Sequence, residues 1–227
     1  MPVRSTILFS AFFTAISCGL ICAQEAPEKT QLENDQTIAP KVTFTFNWTS
    51  ANPQFFKLEV DSTGRAAYSS QGSKANSEPY SEKFTMGAAD RQRIFALARQ
   101  AGYFNGDFDF SKHKVAQTGV KTLAYDDATR HYQTTYNWSQ NPTISELNSI
   151  FMAISNTLES GRRLSYLMRF DKLGLEKELK GMEQAAAAGE LRELAAIAPT
   201  LEQLASDASY MHIVQERARH LLKLANP

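Results

Sequence analysis

The sequence predicts an α+β fold, in which an antiparallel sheet with helices on one face is followed by a small C-terminal helical bundle. Strand-like alternation leads into a helical pattern twice, which is typical of this class. The composition then changes near residue 170. Residues 24–170 contain 20 aromatic side chains, whereas residues 171–227 contain one, Tyr210, and carry Ala or Leu at 21 of 57 positions.

The first round of the pattern begins with a strand in which Val42, Phe44 and Phe46 alternate with threonines. Alternation with period two is typical of a strand that buries one face. The turn at residues 61–64 then predicts a hairpin, and Gly102 is a plausible C-terminal cap for the helix before it. The elements predicted here are strands over 42–48, 56–60, 65–69 and 82–86 and a helix over 94–101.

The second round predicts strands over 120–125 and 132–136, joined by a turn at 126–129. Residues 143–146 match a capping box, in which Thr143 caps a long helix and Glu146 reaches back to it. Both rounds contain a similar phrase, NWTSANP at 47–53 and NWSQNP at 137–142. The phrase is either a duplicated strand-end turn or a coincidence in a chain rich in Thr and Asn.

Three helices are predicted after residue 170. Their apolar residues recur at helical spacing over 175–182, 191–198 and 211–222, and Gly189 and Pro199 separate them. The small apolar faces of these helices suit packing on one another or on the long helix before them. The predicted organisation is therefore a sheet domain over 42–170 and a helical module over 171–227.

The N-terminus has the pattern of a secretory signal peptide over 1–23: Arg4, an apolar stretch over 7–16 and a small-residue cleavage site ending at Ala23. We therefore expect an exported protein, periplasmic or secreted, with a flexible polar spacer over 24–41. Two alternatives remain open, a retained membrane anchor and a lipoprotein anchored through Cys18. Cleavage would leave no integral membrane span and would remove both cysteines of the chain, which excludes cysteine nucleophiles and cysteine-ligated metals.

The charge balance argues against nucleic acid as a partner, because 24 basic residues face 24 acidic ones and no basic excess is present. The strong catalytic signatures are also missing from the sequence. It contains no glycine-rich phosphate loop, no dinucleotide fingerprint, no nucleophile elbow and no zinc-protease motif. No cofactor is predicted.

Two polar clusters are candidate sites. Asp107 and Asp109 would point to one side of an extended segment and, with His113, could hold a divalent cation or act in acid–base catalysis. Carboxylates in a loop beside lysines are more often solvated or paired, which is the competing interpretation. The second cluster is basic and could meet an acidic partner or lipid head groups, although a solvated helix face is the favoured interpretation. It consists of Arg162, Arg163 and Arg169.

Residues 55–166 resemble an uncharacterised family of secreted bacterial proteins, a domain of unknown function. The phrases that carry the resemblance lie at 56–61 with Gly64, at 101–104 and at 119–123. The resemblance implies a secreted bacterial β-rich domain and transfers no catalytic residues. We expect an exported, non-catalytic protein of the bacterial periplasm or cell envelope that binds a protein or an envelope component. The alternative is a hydrolase or metal-dependent enzyme that uses the carboxylate and histidine cluster.

Overall fold

The computed structural model describes residues 39–72, 78–110 and 114–225. The predicted signal peptide, with Cys18, lies outside the described residues, and so does all of the predicted spacer before residue 39. Within the described ranges the chain forms an antiparallel sheet and two groups of helices, which confirms the predicted α+β class.

The sheet has six strands in the described part of the chain, in the order β4-β3-β2-β1-β5-β6, and every neighbouring pair is antiparallel. The first four strands form a meander, and the β5–β6 hairpin joins the other side of β1. All six correspond to predicted strands. Their bounds are Lys41–Asn47, Phe55–Asp61, Arg65–Gln71, Tyr80–Thr85, Val120–Asp126 and His131–Tyr136 for β1 to β6.

One face of the sheet is buried, as the alternation in the sequence predicts. Phe44 of β1 pairs with Leu58 of β2 and Leu123 of β5, and all three side chains are completely buried. The opposite face carries Thr45 and Thr122 in register, and both are only partly buried. Side chains alternate between the faces of a strand, so this register places the apolar set on the helix side.

Two helices cover the buried face, α1 (Ala88–Gln100) and α2 (Pro142–Phe170). Phe151 of α2 stacks on Phe44, with ring centroids 5.0 Å apart and an interplanar angle of 2°. Ile94 and Leu97 of α1 are completely or almost completely buried. Both predicted helices on the sheet are therefore present, and they lie on the same face.

The predicted capping box at Thr143 is wrong. Helix α2 begins at Pro142, and its cap is Asn141, whose Oδ1 accepts hydrogen bonds from the backbone amides of Thr143 at 2.9 Å and Ile144 at 3.4 Å. Glu146 instead binds Arg93 of α1 through two hydrogen bonds of 2.5 and 2.6 Å. The glutamate fits the local motif, but a tertiary contact between two helices takes it away from the cap.

Three further helices follow α2, namely α3 (Gly174–Ala187), α4 (Ala198–Ser206) and α5 (His212–Ala225). The predicted helix over 191–198 is wrong. A short 3-10 turn occupies Leu194–Ile197, and α4 begins where the predicted helix ends, with Pro199 in its first turn. Proline is tolerated in the first turn because its missing N–H would have no intrahelical acceptor there.

The C-terminal helices pack on one another and on the second half of α2. Gly161 of α2 meets Ile197 so closely that a Cβ at this position would collide with that side chain. Arg217 of α5 forms ion pairs with Glu176, at 3.1 Å, and with Glu183 of α3. The buried apolar side chains form one cluster that runs from β1 to α5.

Candidate functional site

A cavity of about 490 Å³ lies where one end of the sheet meets the first half of α2. β1 and β6 run in the same direction with β5 between them, so both strands end at this edge of the sheet. The phrases at 47–53 and 137–142 follow these two strands, and residues of both phrases line the cavity. Ligand cavities in proteins typically measure about 300–1,000 Å³.

The sheet side of the cavity is aromatic. It includes the only two tryptophans of the chain, Trp48 and Trp138. Trp138 is 41% exposed and stands edge-on to Phe110, with ring centroids 5.2 Å apart. Trp48 is half-buried and packs against the core. The other aromatic side chains in the lining are Phe46, Phe56 and Tyr136.

The helix side of the cavity is polar. The small polar residues of α2 that line it recur at positions i, i+3, i+4, i+10 and i+11, which places them on one face of the helix. Met152, within the same stretch, adds an apolar contact. The cavity therefore combines aromatic side chains at the edge of the sheet, the aromatic wall, with a row of small polar side chains on α2, the polar wall. The polar residues are Ser145, Asn148, Ser149, Ser155 and Asn156.

Two buried polar atoms in this lining have no hydrogen-bond partner within the described ranges, the Tyr136 hydroxyl and Asn148 Oδ1. Tyr136 is only 4% exposed, and burial raises the pKa of its hydroxyl. An unpaired buried polar group costs about 1–3 kcal/mol, and most native proteins pair such groups. Both residues line the cavity, so a small turn of either side chain would bring its unpaired atom to a ligand there.

Ser155 presents a hydrogen-bond acceptor to the cavity because a buried chain of hydrogen bonds fixes its proton. Glu159 Oε1 accepts from the Tyr68 hydroxyl at 3.0 Å, which uses the single proton of that tyrosine. The Tyr68 oxygen lies 2.9 Å from Ser155 Oγ, so the serine donates to the tyrosine. Arg162 lies 3.6 Å from the other oxygen of Glu159 and supports its negative charge.

Lys121 is the one charged residue in the described lining, and its ammonium group is fully used by the surrounding loops. Its Nζ donates to the carbonyl oxygens of Asn137 at 2.8 Å, Thr118 at 3.0 Å and Gly119 at 3.1 Å. Burial lowers the pKa of this lysine. Lys121 therefore joins the start of β5 to the end of β6 and shapes the floor of the cavity.

Gly119 permits this close arrangement of loops. Its φ is +91°, and a Cβ would lie 2.8 Å from both the Phe46 ring and Trp48 Cβ. Asn137 adds a second link, because its Oδ1 accepts from the Thr118 amide at 2.8 Å. The aromatic wall is therefore held by backbone geometry that a larger side chain at residue 119 would disturb.

Neither described carboxylate of the predicted metal or acid–base cluster, Asp107 or Asp109, belongs to this lining. Asp107 Oδ1 accepts from the Asp109 amide at 3.0 Å, and Asp109 Oδ1 accepts from the Asn137 amide at 2.9 Å. Both carboxylates thus stabilise the backbone of their own loop and of the strand end. His113 lies outside the described residues. Among the residues that the structure describes, no group of three metal-ligating side chains comes together.

Of the predicted basic cluster, Arg162 and Arg169 line one groove, and Arg163 is not part of its lining. Arg162 donates to the carbonyl oxygen of Glu78 at 3.1 Å, and Arg163 lies 3.5 Å from a carboxylate oxygen of Glu178. Arg169 is exposed and lines a shallow groove at the end of α2. Two of the three arginines are therefore held by intramolecular contacts.

The cavity was not predicted, because its lining comes from three separate stretches of chain. The signal that could have found it was the pair of Asn-Trp phrases, together with the small polar residues on one face of the long helix. No protein-family model and no curated protein sequence matches the chain. Within the described ranges, no helix has the length and apolar character needed to cross a membrane.

Proposed function

We propose that this chain is an exported, non-catalytic binding protein of the bacterial periplasm or cell envelope, and that its cavity takes up an uncharged envelope component. The observation that carries the proposal is a pair of polar atoms, the Tyr136 hydroxyl and Asn148 Oδ1, that have no partner among the described residues and belong to the lining of a partly aromatic cavity of about 490 Å³. A mostly apolar pocket with a few convergent polar groups is the usual form of a small-molecule site.

The described lining favours binding over proton transfer. Its groups are aromatic rings, hydroxyls, amides and one lysine whose protons are held by carbonyl oxygens. Side chains that act as general acids or bases near neutral pH are mainly imidazoles and carboxylates with shifted pKa values. The described lining instead supplies aromatic and hydrogen-bonding contacts, which orient a ligand without transferring a proton.

A pair of fluorescent probes tests whether the cavity accepts an uncharged ligand. Phenylnaphthylamine is uncharged, and anilinonaphthalene sulfonate has the same ring system with an anionic group added. Because Trp48 and Trp138 are the only tryptophans and both line the cavity, a bound probe will quench their fluorescence. We expect phenylnaphthylamine to bind and to quench more strongly than its anionic analogue at equal concentration.

A blocking substitution assigns this binding to the cavity. Ser149 lines the cavity from an exposed position on α2, and Ser149→Phe fills the space in front of the aromatic wall. We expect at least about tenfold weaker binding, equivalent to about 1.4 kcal/mol. Ser165→Phe makes the same change at an exposed position of the same helix outside this cavity and should leave binding unchanged. Equal binding by both variants would refute a site in the cavity.

Export is tested by fractionating a bacterial host that expresses the full chain and determining the N-terminus of the recovered protein. Cleavage after Ala23 predicts a mature protein that begins at Gln24. A lipoprotein would begin at a lipid-modified Cys18 and would stay with the membrane fraction. A full-length protein recovered from the cytoplasm would contradict export, whichever ligand the cavity binds.

A further inference from the structure

We infer that the ligand of the cavity is a neutral sugar ring, and this inference rests on the binding function proposed above. A sugar ring presents C–H groups on its two faces and hydroxyl groups around its edge. The cavity offers a matching pair of walls, aromatic on the sheet side and polar on the helix side. One ring could therefore face Trp48 and Trp138 and direct its hydroxyls toward α2.

The aromatic wall suits the face of such a ring. An aromatic side chain carries partial negative charge on its face, which attracts weakly polarised C–H groups in addition to burying apolar area. Tryptophan has the largest of these faces, and the chain places both of its tryptophans here, one after β1 and one after β6. A purely apolar ligand would also suit this wall, so only the polar wall distinguishes a sugar ring from an apolar ligand.

The polar wall presents more acceptors than donors at its buried points. Asn148 Oδ1 is buried without a partner in the described part of the chain, and Ser155 Oγ has its proton directed toward Tyr68. A donor on the ligand would satisfy Asn148 Oδ1, and Ser155 Oγ can accept a further donor in addition to its bond with Tyr68. The Tyr136 hydroxyl, also unpaired among the described residues, can donate one hydrogen bond and accept another.

Hydroxyl groups meet this combination because each one donates once and accepts twice. An ether, ester or ketone has no proton for Asn148 or Ser155, and a hydrocarbon satisfies none of the three groups. A carboxylate or phosphate would place its own acceptor oxygens against the acceptor oxygens of the protein. Lys121 would not offset this, because its ammonium protons already bind carbonyl oxygens of Asn137 and of the loop before β5. The cavity therefore matches a neutral ring with several hydroxyls, with or without an acetamido group.

The disaccharide of N-acetylglucosamine is the probe for this inference, because it is neutral, rich in hydroxyls and built from acetamido sugars. Added to the purified protein, it should quench tryptophan fluorescence and displace phenylnaphthylamine. Tyr136→Phe and Asn148→Leu each remove one hydrogen-bonding group, and each should weaken binding of the disaccharide about 3- to 10-fold. Tyr132→Phe removes a hydroxyl on the same strand outside the cavity and should have no effect.

The outcomes separate this inference from the proposed function. If phenylnaphthylamine binds in the cavity and the disaccharide neither quenches nor displaces it, the sugar is refuted and the binding function stands. If Ser149→Phe binds both phenylnaphthylamine and the disaccharide as tightly as the wild type does, the cavity is not the site and both proposals fail. N-acetylmuramic acid is N-acetylglucosamine with a carboxylate-bearing lactyl group attached through an ether at O3. Binding of this acid as tight as that of the neutral monosaccharide would refute a neutral ligand.

Discussion

Replacing Tyr136 by phenylalanine should stabilise the free protein, although the residue lies in the core. Its hydroxyl is buried and finds no partner among the described residues, while its ring is 4% exposed and packs in the cluster beneath the sheet. The substitution keeps the ring and removes only the oxygen. An unpaired buried polar group costs about 1–3 kcal/mol, and we take the lower end of that range, about 1 kcal/mol.

The assay is urea unfolding of the wild type and Tyr136→Phe, with Tyr132→Phe as the control. In a thermal scan of the same proteins, a gain of about 1 kcal/mol corresponds to a rise in Tm of about 2–4 °C for chains of about 150–250 residues. Tyr132 is 37% exposed, so loss of its hydroxyl should change the free energy of unfolding by less than about 0.5 kcal/mol. A loss of stability in Tyr136→Phe would refute the reasoning, because it would show that the hydroxyl is already paired in the free protein.

The ligand and the pH provide two independent checks on the same hydroxyl. If the disaccharide binds through it, saturating disaccharide should stabilise the wild type more than Tyr136→Phe, because stabilisation by a ligand follows its affinity. Burial raises the pKa of Tyr136 above the ordinary value of 10.0. The unfolded chain therefore releases this proton first, and the free energy of unfolding falls as pH rises above about 10. Tyr136→Phe should lose less stability than the wild type in that range.

Three further predictions concern the fold, and each is measured by chemical unfolding. Backbone amides of its own turn lower the pKa of Asp127 to about 2. The ionised carboxylate therefore stabilises the folded protein above about pH 4, and this stabilisation is lost as pH falls toward 2. In Asp127→Asn the free energy of unfolding should decline less over that range. Burial raises the pKa of Glu193, so Glu193→Gln should gain stability relative to the wild type at pH 7 and lose that advantage at pH 4. Gly161→Ala, which meets Ile197, should destabilise the protein by about 1–3 kcal/mol. Gly181→Ala, in an open position of α3, should stabilise it by about 0.5–1 kcal/mol, and equal effects of the two alanines would contradict the close packing.

The sheet could be predicted because its signal is local. Each strand that buries one face repeats its apolar residues every second position, and the turn after β2 contains Gly64 at φ +97°, where glycine is favoured. The errors arose where a distant residue decided the outcome. Glu146 fits a capping box but binds Arg93, and Pro199 resembles the end of a helix but lies in the first turn of the next one.

The cavity could not be predicted in the same way, because its lining depends on which strands become neighbours. Nothing local in the sequence places the ends of β1 and β6 at the same edge of the sheet, because this arrangement requires β5 to pair with both strands. The same reasoning explains the candidate that the sequence did offer. Asp107 and Asp109 are two residues apart and both charged, which is typical of a metal site, but each accepts a hydrogen bond from a backbone amide, that of Asp109 and that of Asn137 respectively.

The two Asn-Trp phrases do not require a duplication to explain their shared position. β1 and β6 run in the same direction because each is antiparallel to β5, so any residue that follows them lies at the same edge of the sheet. The two loops are closed differently. The first forms a backbone hydrogen bond of 2.7 Å from Trp48 to Gln54, whereas Asn137 of the second binds Thr118 through its side chain. What the loops share is a tryptophan directed at one cavity, and that common placement is a reason to expect both rings to contact the same ligand.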